Sequence, residues 1–140
     1  MNTEPKPTPE MLIAQHGVDA WVLCLPETES DAHAVFRGLD WRFRGALARA
    51  VYSGELSPKS GVVSLLPYTR AVSNTGPETF RILTLGVKDR SSVTRAELSL
   101  LRKNIQGLGL KTFGISAGDF GWTLAEAKTH FPEKSACIVE

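Results

Sequence analysis

The run DAWVLCLP, residues 19–26, constrains this chain more than any other stretch. From Ala20 to Leu25 no charged or strongly polar side chain interrupts it, and Pro26 closes it. A strand with one wet face alternates apolar and polar residues. A run without alternation suits a strand buried on both faces. Such a strand needs cover on two sides, and helices are the usual cover for a mostly parallel sheet.

The rest of the chain supplies that cover. Within LDWRFRGALARAVYSG, Leu39, Phe43, Leu47 and Val51 recur every four residues. Asp40 is placed to cap a helix there and Gly54 to end it. Ser92 to Leu108 reads as a second helix, with Leu98, Leu101, Ile105 and Leu108 on one stripe. Thr94 and Glu97 have capping-box spacing, and Val93 and Leu98 can form the accompanying hydrophobic staple. Thr123 and Glu126 repeat the box ahead of LAEAKTHF. Further strands are expected at SGVVSLLP (60–67), TFRILTLGV (79–87), LKTFGIS (110–116) and SACIVE (135–140), with a short first strand at MLIA. The segment ETESDAHAVFRG reads as loop with a short helical piece, and YTRAVSNTGPE as a turn-containing connection whose length suits a meander or a surface excursion. The order (β)β–α–β–β–α–β–α–β predicts a three-layer α/β/α domain around a mixed, largely parallel sheet of about six strands. Residues 1–10 read as a loose tail and 11–140 as the domain.

Composition excludes several functional classes. The 140 residues carry a net charge of +1, with 22% charged and 42% hydrophobic residues. That balance gives no general attraction to nucleic acid or an anionic membrane. Cys24 and Cys137 lie in apolar runs without local partners and read as buried thiols. MNTEPKPTPE has neither the basic start nor the apolar core of a signal peptide, and no apolar run reaches the ~20 residues of a membrane span. A cytoplasmic protein is the default expectation. His16, His33 and His130 have no metal-ligand spacing, so no metal and no cofactor are expected. No nucleophile-elbow sequence places a serine, and no catalytic residue is assigned.

In open α/β sheets ligands bind beyond the carboxyl ends of the strands. The join after the penultimate expected strand, GISAGDFGWTLAEA, holds Gly118 and Gly121 around Asp119 and Phe120. Glycines there permit close backbone approach, and the following helix offers free N–H groups to an anion. Against this, Thr123 and Glu126 can satisfy those groups themselves. Asp119 also brings a like charge, worth roughly 4 kcal/mol against a phosphate at ~4 Å and an effective dielectric near 20, unless it points away. The join therefore reads either as a turn or as an anion cradle.

The residues Ser116, Gly118, Phe120 and Gly121 resemble the Ser-x-Gly-x-x-Gly loop of macro domains, which wraps the distal phosphate and ribose of ADP-ribose. The resemblance implies Asp19 as an adenine contact and Phe120 as the aromatic packed on the ligand; Asp119 and Trp122, in the same loop, are the further candidate contacts. The first ligand loop departs from that family: the buried strand opening at Asp19 ends LCLPETES, without the asparagine or the glycine run. The middle of the chain is similar to the N-terminal domain of leucyl aminopeptidases. Leu39, Asp40, Gly45, Gly54, Lys59, Gly61, Arg81, Leu83, Leu85, Gly86 and Thr94 match in order. In that family peptidase chemistry belongs to a separate dimetal domain, of which nothing is seen here. The resemblance implies a free-standing, non-catalytic macro-like domain.

The remaining charges read mostly as solvated. Lys88, Asp89, Arg90 and Arg95 sit beyond a strand end and could face a ligand. Arg42 and Arg49, seven apart, are expected on one helical face that could touch an anionic partner, or could simply cover apolar surface with their stems. The expected function is contact with a protein partner or self-association. The alternative is a binding module for ADP-ribose or a related nucleotide.

Overall fold

The computed structural model describes residues 18–27, 34–72, 76–110 and 112–140, giving the backbone alone for 69–72 and 76–78. The tail, the MLIA segment, His16, His33 and most of ETESD lie outside the described residues. The elements are β1 (Ala20–Pro26), α1 (Ala34–Arg42), α2 (Ala46–Ser53), β2 (Val63–Val72), β3 (Gly76–Val87), α3 (Arg95–Leu108), β4 (Phe113–Ser116), α4 (Leu124–His130) and β5 (Ala136–Val139). A turn of 3-10 helix, Gly118–Phe120, joins β4 to α4.

Among the described residues the sheet has five strands in the order β2-β3-β1-β4-β5. Strand β2 runs antiparallel to β3, and β3, β1, β4 and β5 are parallel. The expected α/β class and mixed, mostly parallel sheet are thus present. The count is five rather than about six, because the sixth expected strand falls on MLIA.

Period-two alternation divides β1 between two cores. Trp21, Leu23 and Leu25 face Leu39, Phe43 and Leu47 of the α1–α2 region. Ala20, Val22 and Cys24 face Leu101 and Ile105 of α3, with Phe120 and Phe131. Both faces are covered, which is why the run carries no polar side chain. Gly114 lets the Trp21 indole lie across β4: a Cβ there would stand 2.1 Å from Cζ3. Neither cysteine forms a disulfide; Cys24 is buried and Cys137 only half-buried.

Three local expectations are corrected. The helix expected over LDWRFRGALARAVYSG is two helices, because Arg44 (φ 57°) and Gly45 (φ 79°) are left-handed. Asp40 is not at the first helix's start. It lies inside α1, and its carboxylate accepts the Ala48 amide of α2 at 2.9 Å. The Arg49 guanidinium donates to the Arg44 carbonyl at 2.8 Å, tying the corner from the other side. Arg42 and Arg49 therefore belong to different helices and not to one helical face. Of the two readings of YTRAVSNTGPE the meander is the one present: β2 and β3 extend through it as a long antiparallel pair to Val72↔Gly76, with residues 73–75 outside the described ones. The helices at 95–108 and 124–130 begin with the expected capping boxes at Thr94 and Thr123.

Candidate functional site

The strand order reverses at β1, with β3 on one side and β4 on the other. The carboxyl end of β1, between the β3–α3 and β4–α4 connections, is therefore the place where such a sheet opens a crevice for ligands. Two side chains of this chain meet there. Asp119, 0% exposed, forms an ion pair with Arg90, 13% exposed, and the same Nη1 also donates to the Asp119 carbonyl. The Cys24 amide donates to Asp119 Oδ2 at 2.8 Å. Strand β4 pairs with β1 as far as Val22↔Ile115 and ends at Ser116. Beyond that point the Asp119 carboxylate takes the β1 amide that a longer β4 would have bonded.

A buried ion pair carries a large desolvation cost, offset when further hydrogen bonds satisfy its lone pairs. Asp119 has both a cation and a backbone amide. An anion arriving here would compete with the Asp119 carboxylate for Arg90 and the Cys24 amide.

The loop amides are also committed. Those of Ala117 and Gly118 donate to the carbonyls of Val139 and Glu140, at 2.8 and 3.0 Å. Phe120, Gly121 and Trp122 donate to Ala117, Gly118 and Ala117 respectively. The Thr123 amide goes to Glu126 Oε1 at 3.0 Å, and the Glu126 amide returns to Thr123 Oγ1 at 3.2 Å. The Thr123 backbone bond, and then its hydroxyl, hold the Glu126 carboxyl below the usual carboxylate range; desolvation opposes them, and His130 adds a weaker pull in their direction.

The residues singled out from the sequence are placed as follows. Ser116 is buried and donates its hydroxyl to the Glu140 carbonyl at 2.9 Å. Gly118 runs beside that carbonyl, where a Cβ would be 3.1 Å away. Gly121 has φ 73° and passes 3.1 Å from the Ser91 Cα by the same measure. It closes the turn against the β3–α3 loop. Phe120 is fully buried in the core under α3. Half-buried Trp122 stacks on it at 4.8 Å and meets His130 at 4.5 Å. Ser116 through Trp122 thus lie together at the carboxyl edge. Asp19 lies at the other edge: it precedes the pair Ala20↔Phe113, its amide bonds Thr112 and its carbonyl accepts from Arg81. The fold does not bring it to the loop.

Arg90 is what reasoning from the sequence missed. It was flagged within VKDRSSVTR as facing a ligand or solvent, and its partner is Asp119. An opposite charge in each of two loops beyond neighbouring parallel strands is the signal that could have joined them, once the strand order is known.

The connection from α2 to β2 folds over the same edge. The Gly61 amide donates to the Gly86 carbonyl at 2.9 Å, and the Gly86 amide to the Val62 carbonyl at 2.8 Å. A Cβ on Gly86 would stand 2.0 Å from the Lys59 carbonyl oxygen. Ser60 bonds Glu27 through its amide and Glu97 through its hydroxyl.

Among the described residues no group of three or more His, Cys, Asp or Glu side chains is placed to hold a metal ion. No helix among them is long and apolar enough to cross a membrane. No protein-family model matches the chain, and no curated protein matches it.

Proposed function

We propose that the chain is a macro-like domain, related to the N-terminal domain of leucyl aminopeptidases, that acts without catalysis through contact with a protein partner or a second copy of itself. The element order and the two-sided cover of the sheet support the relationship. The observation that carries the functional reading is Asp119: the crevice at the strand-order reversal holds the chain's own carboxylate on its own arginine and backbone amide. A nucleotide phosphate would have to displace that carboxylate from Arg90 and Cys24. It would also find the loop amides already bonded.

Titration calorimetry with ADP-ribose tests this reading, and no saturable heat is expected. Micromolar binding that Gly118→Glu removes would overturn it in favour of a nucleotide-binding module. Sedimentation across a concentration series then separates self-association from contact with a different protein.

A further inference from the structure

Among the described residues, the two most exposed large hydrophobic side chains lie on α1 and α2. Trp41 is 83% exposed and Tyr52 96% exposed. Monomeric proteins expose single apolar residues routinely, but two large aromatics among arginines have the composition of an interface centre. The chain brings them into sequence across the corner. Arg37 and Trp41 are one turn apart on α1. The Arg44 amide bonds the Trp41 carbonyl at 3.2 Å. Arg49 in turn bonds the Arg44 carbonyl, and Tyr52 lies one turn beyond Arg49 on α2.

This corner is also fixed. The Gly45 amide returns to the Asp40 carbonyl at 2.7 Å, and the Asp40 carboxylate caps α2. Beneath it, Leu39, Phe43 and Leu47 are buried in the core. A backbone already fixed spares a partner the cost of ordering it, leaving only the rotamer freedom of the side chains to be lost. The charge is predominantly positive. Residues 34–55 hold four arginines against Asp40 and Glu55, a net charge of +2, and Arg37, Arg44 and Arg49 are exposed.

We infer that the α1–α2 corner, through Trp41, Tyr52, Arg37, Arg44 and Arg49, is a docking surface for an acidic protein segment carrying apolar residues. The inference rests on the protein-contact reading above and names its surface. Trp41 and Tyr52 supply apolar contact area, and the guanidinium groups pair carboxylates, bidentately where the geometry allows. The net charge of +1 argues for a short acidic segment rather than a nucleic-acid track.

The test is a nitrogen-15 NMR titration of the whole chain with a peptide of alternating Glu/Asp and Leu/Phe residues. An oligothymidylate and ADP-ribose form parallel arms. Peptide-induced shifts are expected at the Trp41 indole and at residues 37–52, weakening as salt rises. Trp41→Ala with Arg44→Glu should raise the Kd on the order of tenfold or more. Because both side chains are exposed, the fold is retained, and an unchanged melting curve verifies this. Absence of binding, or shifts elsewhere that survive the double variant, would overturn the surface and leave the protein-contact reading standing. Preference for oligothymidylate at this corner would overturn the partner class. Binding of ADP-ribose at the carboxyl edge would instead overturn the reading beneath it.

Discussion

At the carboxyl edge of the sheet the loop amides and the Asp119 carboxylate are bonded within the chain, whereas at the α1–α2 corner Trp41 and Tyr52 stand in water with arginines around them. The first region is where an α/β sheet ordinarily offers a ligand site. The second is a helix–helix corner with no such general role. The difference teaches that strand topology fixes where a crevice would form, and the side chains placed there decide whether it stays open. Here an acid and a base from two loops fill it. Exposed aromatic and arginine side chains lie on the outside of a helical layer instead.

The strongest way to break the comparison is to empty the edge. Asp119→Ala leaves Arg90 and the Cys24 amide without the carboxylate that satisfies them in a largely buried place. A loss of about 3–5 kcal/mol is expected, read by urea denaturation. Asp119→Asn keeps an acceptor for Cys24 but no charge for Arg90, so it should lose less. If Asp119→Ala unfolds at the wild-type urea concentration, the pair is not what closes the crevice.

Gly86→Ala probes the other side of the same closure. Its new Cβ would lie 2.0 Å from the Lys59 carbonyl oxygen, so backbone must move. Overpacking of this kind costs about 1–3 kcal/mol, sometimes more. Hydrogen exchange should localise the added opening to residues 57–62. Wild-type protection there would mean that the α2–β2 connection does not seal this edge.

What could be read from the sequence follows the distance over which each interaction acts. The capping boxes at Thr94 and Thr123 join residues three apart, and both were legible. The two-sided burial of β1 was legible because no polar residue interrupts it. The break between α1 and α2 was not. Leu39, Phe43 and Leu47 keep helical spacing across it and are all buried, so the periodicity carried no mark of the left-handed turn. Gly45 was a hint, but a glycine inside a helix is tolerated at a cost of ~1 kcal/mol and does not by itself specify a corner. At the candidate site, Ser116 through Trp122 were legible as one group because they are consecutive. The bond from Cys24 to Asp119 spans 95 positions and the pair with Arg90 spans 29. Those contacts depend on which strands become neighbours, which no local pattern states. Asp119 was recognised as an obstacle to phosphate, but its inward orientation required the fold.

Asp40→Ala sharpens the contrast at the corner. The carboxylate caps α2 from eight positions earlier, so its loss removes a helix cap and a tie across the turn together. About 1 kcal/mol is expected, in the range of ordinary N-cap losses. Thr94→Ala provides the local-cap comparison on α3. If Asp40→Ala costs nothing while Thr94→Ala costs the usual amount, the corner is held by core packing alone, and the docking surface is less fixed than its hydrogen bonds imply.

The smallest effect is expected where the surface is most open. Trp41→Ser and Tyr52→Ser remove large side chains that are mostly in water already. Little apolar area returns to solvent, so each should change stability by no more than about 0.5 kcal/mol. The reason is specific to this corner: the core beneath it is made by Leu39, Phe43 and Leu47, and neither exposed ring is needed to complete it. Paired urea denaturation of both variants beside Asp119→Ala reads the whole contrast in one experiment, a near-zero change outside and a large one at the edge. A loss above about 1 kcal/mol in Trp41→Ser would show that the indole is bound to its own chain. The corner would then be closed in the same sense as the crevice, and no ring would remain there for a partner to cover.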